Sequence, residues 1–234
     1  AERLCYAYLM HKMFGFAEKE RTIRDEKALL GVRYYQYADM MSHRTGSKFA
    51  SFSWKNKVLG VVMPIGPGHE ANPYFTTPRA DGFVGTITCK DLAGKSRIEK
   101  PDWQKTATGF ETTGTIILND GVLKQELRFV SVGEKTVVYA DRITALKDVT
   151  VTREQGVPIG IENDEYTGNV RKLYYQSGSE TIVGLGTQDL IRIPGNWANL
   201  DGRLGIVAVS GSGLAYEDVR NYNRDGALQD TLFG

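Results

Sequence analysis

Residues 112–152 constrain the fold of this chain more than any other stretch. Thr112–Leu118 is β-branched and aliphatic, and Asn119-Asp120-Gly121 supplies the positive-φ residues of a tight hairpin turn. The return arm is Val122–Val132. Leu123, Leu127 and Phe129 share one face of it, and Lys124, Glu126 and Arg128 share the other, which is strand periodicity. Gly133-Glu134 turns the chain into Lys135–Leu146, where Val137, Tyr139 and Ile143 alternate with Val138, Ala140 and Arg142. Lys147-Asp148 lead to Val149-Thr150-Val151-Thr152, too short and too β-branched for a helix. Four strands joined by short turns predict an antiparallel meander with one apolar and one polar face. The apolar face needs a second layer, so a sandwich is expected.

The totals fit that reading. A chain of 234 residues suits a large all-β domain, and 26 glycines suit many turns. With 41% hydrophobic residues, 24% charged residues and a net charge of +1, no concentrated basic patch points to nucleic acid or a membrane surface. No apolar run approaches the roughly 20 residues of a membrane-spanning helix. Cys5 and Cys89 fit neither a metal motif nor a disulfide framework.

Glu2–Phe16 reads as a helix, with Leu4, Tyr8 and His11 on a broad apolar stripe and Gly15 near its end. Together with the charged connector Glu18–Lys27 it makes up residues 1–28, and the sandwich is expected over 29–234. A stripe this wide on one helix needs a partner, and the opening at Ala1 suggests an excised domain or processed product. Strands are expected at Val32–Tyr37, Phe49–Trp54, Val58–Met63 and Phe83–Thr88. Pro64–Arg79 reads as a long irregular loop and Asp91–Lys105 as a polar segment containing Trp103. Later strands are expected at Pro158–Ile161, Val170–Tyr175, Thr181–Gly184, Leu190–Ile193 and Leu204–Val209, with a polar tail from Tyr216. The fold class is all-β, a large multi-stranded antiparallel sandwich behind one N-terminal helix.

The stretch from Tyr34 to Gly46 is the richest in chemistry, with three tyrosines, Asp39, His43 and Arg44. Tyr35 and His43 are candidate proton-transfer groups, and Arg44 can hold a carboxylate bidentately. The same residues also read as strand packing, with Asp39–Arg44 as an ion pair bracing a turn. Trp54, Trp103 and Trp197 are candidates for stacking on sugar rings, as are Tyr74 and His69 in the long loop for substrate contact. Core filling is the competing reading for each tryptophan. His69-Glu70 stands far from His11 and His43, so no zinc spacing exists, and no metal is expected. Glu162-Asn163-Asp164-Glu165 lacks the spacing of a calcium loop. Gly184-Leu185-Gly186 opens no helix, and no cofactor motif appears.

Asp39-x-x-x-His43-Arg44, followed by Gly46 and the aromatic strand Phe49–Trp54, resembles the start of the β-sandwich domain in polysaccharide lyases of the chondroitin AC/hyaluronate lyase type. A Met-Asp-Arg-x-x-His-Arg-Arg segment occurs there; here Ala38, Met40 and Thr45 replace its Met, first Arg and last Arg. The hairpin and Lys135–Leu146 are similar to the supersandwich shared with heparinase II/III-like lyases, a mutarotase-like architecture. The resemblance implies an (α/α) helical domain of the same parent protein, whose last helix corresponds to Glu2–Phe16, and a polysaccharide or oligosaccharide partner, with uronate-containing glycans among the candidates. It implies that the sandwich forms scaffold and one cleft wall, and that Tyr35, His43 and Arg44 act only alongside that helical domain. The sequence holds no Asn-x-Ser/Thr sequon, which fits a bacterial source, and a secreted or periplasmic location follows from the resemblance as an expectation.

Three readings follow. The chain is the sandwich domain of a lyase-like polysaccharide-degrading enzyme, inactive alone. Alternatively, it is a non-catalytic carbohydrate-binding or structural module. In the third, it is a complete enzyme in which His43 converges with an acid such as Glu70. Convergence of His43, Arg44 and Tyr35 in one concave site separates the enzymatic readings from the others.

Overall fold

The protein is described here from a computed structural model, which describes residues 13, 29–55, 59–65, 86–90, 94–155, 158–163, 171–182, 190–211, 213–217 and 228–233. The helix expected at Glu2–Phe16 and the loop expected at Pro64–Arg79 lie, for most of their length, outside these residues. The described chain is all-β, with eighteen strands and only antiparallel pairings.

The first sheet takes β1 (Gly31–Tyr35), β2 (Met40–Arg44), β3 (Lys48–Ser53) and β4 (Leu59–Pro64) in that order. The next two strands are β5 (Thr86–Cys89) and β6 (Arg97–Thr106). They are followed by β7 (Gly109–Leu118), β8 (Leu123–Val132), β9 (Thr136–Ala145) and β10 (Val151–Gln155). The second sheet runs β6-β7-β8-β9, while β10 pairs with β5 in a separate ribbon. The hairpin expected around Asn119-Asp120-Gly121 is present, and φ is positive at all three turn residues (49°, 53° and 89°). Along β8, Leu123, Leu127 and Phe129 are buried and Glu126 and Arg128 exposed, as the alternation predicts.

The meander differs from expectation at both ends. Its fourth strand is β6, from the segment read as polar, and Val149–Thr152 contributes to β10 instead. The reason is a bulge. Lys100 has φ 50°, and the β6–β7 register shifts between Glu99 and Asp102. That shift lets Ile98 and Trp103, an odd number of residues apart, pack on the same core. Strict alternation is broken there, so the strand carries no clear period in its sequence.

These two sheets close face to face. Met41, Ala50, Phe52 and Trp54 from the first sheet and its edge meet Phe110, Ile116, Leu127 and Phe129 from the second, all buried. Phe52 stands 5.0 Å from both the Trp54 and Phe129 ring centres. Burying a side chain of this size stabilises by about 1.5–3 kcal/mol. Trp54 Nε1 donates to Thr112 Oγ1 at 2.6 Å, and Thr112 Oγ1 donates to the Asp102 carbonyl at 2.6 Å, so the buried indole is satisfied. At one end of the sandwich, Lys48 and Thr45 join the β2–β3 turn to the β8–β9 turn. Lys48 Nζ donates to the carbonyls of Val132, Gly133 and Thr136 at 2.9, 2.9 and 2.6 Å, and Thr45 Oγ1 donates to the Glu134 carbonyl at 2.8 Å.

The later strands are β11 (Pro158–Asn163), β12 (Arg171–Tyr175), β13 (Gly178–Ile182) and β14 (Leu190–Ile193). After them come β15 (Trp197–Leu200), β16 (Leu204–Val207), β17 (Leu214–Glu217) and β18 (Leu228–Phe233). They form the sheets β11-β18-β17-β14 and β13-β12-β15-β16. Leu173, Ala198, Leu200 and Leu204 from one sheet pack with Ile193, Leu214 and Tyr216 from the other. Among the described residues this core is separate from the one around Phe52.

Gly114 lies under the Trp54 indole, where a Cβ would come within 2.5 Å of the ring. Gly114→Ala is expected to cost about 1–3 kcal/mol through overpacking. Urea unfolding followed by tryptophan fluorescence measures it, and a variant as stable as the parent would show that Trp54 does not rest there.

Candidate functional site

The sequence between β1 and β2 builds a corner. Gln36–Ala38 form one turn of 3-10 helix, closed by Asp39 in the left-handed region at φ 40°, a conformation that Asp tolerates better than most residues. The Asp39 carbonyl accepts from the Trp54 amide at 3.2 Å, and Ser53 Oγ donates to the Ala38 carbonyl at 2.7 Å, which ties the corner to the end of β3. Two donors then converge on one carboxylate oxygen. Tyr34 Oη and Trp103 Nε1 reach Asp39 Oδ1 at 2.7 and 3.0 Å. The Tyr34 and Trp103 rings meet edge to face with centres 6.1 Å apart. The hydrogen bond to the carboxylate raises the Tyr34 pKa, so the phenol stays a donor. Beside them Tyr37 is 90% exposed, with the Lys55 ammonium 4.1 Å from its ring centre. Lys55 Nζ also donates to the Tyr37 carbonyl.

The opposite end of β2 is closed. His43 faces the core, with Nδ1 3.0 Å from Ser131 Oγ. A histidine beside a serine suggests a base and a nucleophile. Here the Ser131 side chain is fully enclosed between the sheets, and His43 and Lys48 are buried with it. The pair acts as a packed polar contact. Burial and then the Lys48 ammonium lower the His43 pKa, with Glu134 acting weakly the other way. Burial holds Lys48 down at about 8, again opposed by Glu134. Its three carbonyl acceptors suit the ammonium form, which remains dominant at neutral pH.

The structure does not bring Tyr35, His43 and Arg44 together. Tyr35 pairs with Met40 and His43 with Val32, so the first two stand about 10 Å apart along the hairpin. Arg44, next in the strand, points to the face opposite His43. Trp54 is 3% exposed and belongs to the core. Trp103 is half-buried in the corner, and Trp197 opens β15, half-buried opposite Val207. His69, Glu70 and Tyr74 lie outside the described residues. Among the described residues, no group of three His, Cys, Asp or Glu is placed to hold a metal ion. Tyr34, Tyr37 and Lys55 were not singled out by sequence reasoning. A turn flanked by tyrosines and closed by Asp39 was the available signal, but the bond to Trp103 spans 64 positions.

No family model matches the chain, and no curated protein matches it. Among solved structures it is similar to the GH36 alpha-galactosidase AgaB from Geobacillus stearothermophilus, with a TM-score of 0.49 and 7% identity over 87% of this chain and 37% of that one.

The two depressed groups fix a pH dependence. Between the lowered His43 value and about 6.5 the unfolded chain binds more protons than the folded one, so stability falls as pH drops through that window. By the same sign, Lys48 makes stability rise with pH between about 8 and 10.5. Melting temperatures across both windows should show these slopes, with His43→Gln flattening the acid one and Lys48→Met the alkaline one. Unchanged slopes in both variants would remove these groups from the account.

Proposed function

We infer that this chain is a carbohydrate-contacting sandwich module of a glycan-degrading protein, serving as scaffold and cleft wall and breaking no bond alone. The observation that carries this reading is the corner. Tyr34 and Tyr37 present exposed aromatic surface beside a carboxylate and an ammonium, while Trp103 packs on the core and sends only its indole N–H to that carboxylate. Aromatic rings offer apolar contact with a polar rim at low entropic cost, which suits a sugar ring with one apolar face and peripheral hydroxyls. The Asp39-x-x-x-His43-Arg44 resemblance supports a lyase-like parent with a helical domain, acting in the periplasm or outside the cell. Against chemistry by this chain alone stand the enclosure of His43 and Ser131 and the separation of Tyr35 from both.

The test is a glycan panel with the purified chain, measured by calorimetric titration and by the absorbance of unsaturated uronate products. Binding without turnover is expected, and Tyr37→Ala should weaken it about tenfold, the usual size of a contact worth a little over 1 kcal/mol. Sustained turnover by the chain alone would overturn the scaffold reading. Binding untouched by Tyr37→Ala would move the contact away from the corner.

A further inference from the structure

The corner is asymmetric in its hydrogen-bonding capacity, and this narrows the sugar it can take. Asp39 Oδ1 is occupied by Tyr34 Oη and Trp103 Nε1. Oδ2 receives no hydrogen bond from the described residues, yet it is not among the sealed polar atoms of the half-buried side chains. A half-buried carboxylate with one oxygen held by protein donors and the other open to solvent is a fixed acceptor, and its natural complement is a donor. Tyr34, whose hydroxyl holds Oδ1, is 44% exposed, so a ligand lying on its ring is brought beside this carboxylate. The Lys55 ammonium is already engaged by the Tyr37 ring and carbonyl. A second carboxylate, that of Asp102, lies one residue before Trp103 and accepts from the Trp103 amide at 2.9 Å.

We propose that Asp39 Oδ2 is a specificity-determining acceptor that selects neutral, hydroxyl-bearing sugars over uronates at this corner. The inference rests on the carbohydrate reading above and narrows it for this corner alone: neutral residues of the glycan lie here, and a lyase-like parent would seat its uronate elsewhere in the cleft. A neutral sugar brings hydroxyl donors to Oδ2. A uronate sets a second anion against Asp39, and such like-charge contacts are a general device for rejecting a partner. Tyr34 and Trp103 act as positioning residues, since their bonds to Oδ1 fix the direction of the carboxylate. No covalent step is involved.

The experiment compares the intact chain and Asp39→Asn on matched neutral and uronate-rich polysaccharides, by titration and by retardation in glycan-loaded gels. The parent chain should favour the neutral class by on the order of tenfold. Asp39→Asn keeps an oxygen for Tyr34 and Trp103 but turns the second acceptor into a donor. It should lose that preference or reverse it, at an unchanged melting temperature. A parent chain that favours uronates overturns the proposal and leaves the carbohydrate reading standing. A chain that binds neither class overturns the carbohydrate reading itself. If Asp39→Asn does not fold, the ratio measured on the parent chain still decides.

Discussion

The first sandwich depends on a buried cation. Lys48 lies on the inner face of β3, almost without exposure, and its three donors end on the carbonyls of Val132, Gly133 and Thr136. An ammonium there is tolerable only because every donor is satisfied. Left short of one acceptor, it would carry an uncompensated desolvation cost. Thr45 reinforces the join from the neighbouring turn. The two contacts together fix how the sheets sit on one another at this end, and tight packing around them follows. Gly109 shows how tight: a Cβ there would fall 1.8 Å from the Ser131 carbonyl oxygen and 3.0 Å from the His43 ring. His43 and Ser131 are held together by the same closure.

At the other end of the same strands the polar corner reaches the surface, with Tyr34 and Tyr37 exposed. Trp103 links the two regimes. Its ring packs against Phe52 and Phe110 inside, with centres 6.4 and 6.3 Å away, while its indole nitrogen reaches Asp39 outside. The corner is therefore braced by the core. A ligand binding there meets side chains whose rotamers are largely set beforehand, which lowers the entropy lost on association. Tyr37 is the exception. Only Lys55 steadies it among the described residues, and it can adjust to what it covers.

The hairpin at Asn119-Asp120-Gly121 was legible because its signals are local: turn residues that accept positive φ, flanked by strict alternation in β8. The strand β6 was not, because the bulge at Lys100 places Ile98 and Trp103 on one face at odd spacing. The strand β2 was hidden for another reason. Its residues Met40–Arg44 carry buried Ser42 and His43, so chemistry-bearing side chains masked a strand. Of the candidate site, the segment was visible in the sequence and its use was not. Asp39 owes its role to Trp103, which arrives from another sheet, and no spacing within the segment encodes that meeting.

The short motif Asp39-x-x-x-His43-Arg44 can then be judged physically. Asp39 ends a 3-10 turn and faces the corner, His43 points between the sheets, and Arg44 lies on the face of β2 opposite His43. Adjacent strand residues cannot act on one substrate atom, and residues four apart in this arrangement lie at opposite ends of a strand. A reaction centre requires convergence within hydrogen-bond reach. The motif disperses its members among three environments. Its spacing is thus accounted for at Asp39 by the corner and at His43 by packing.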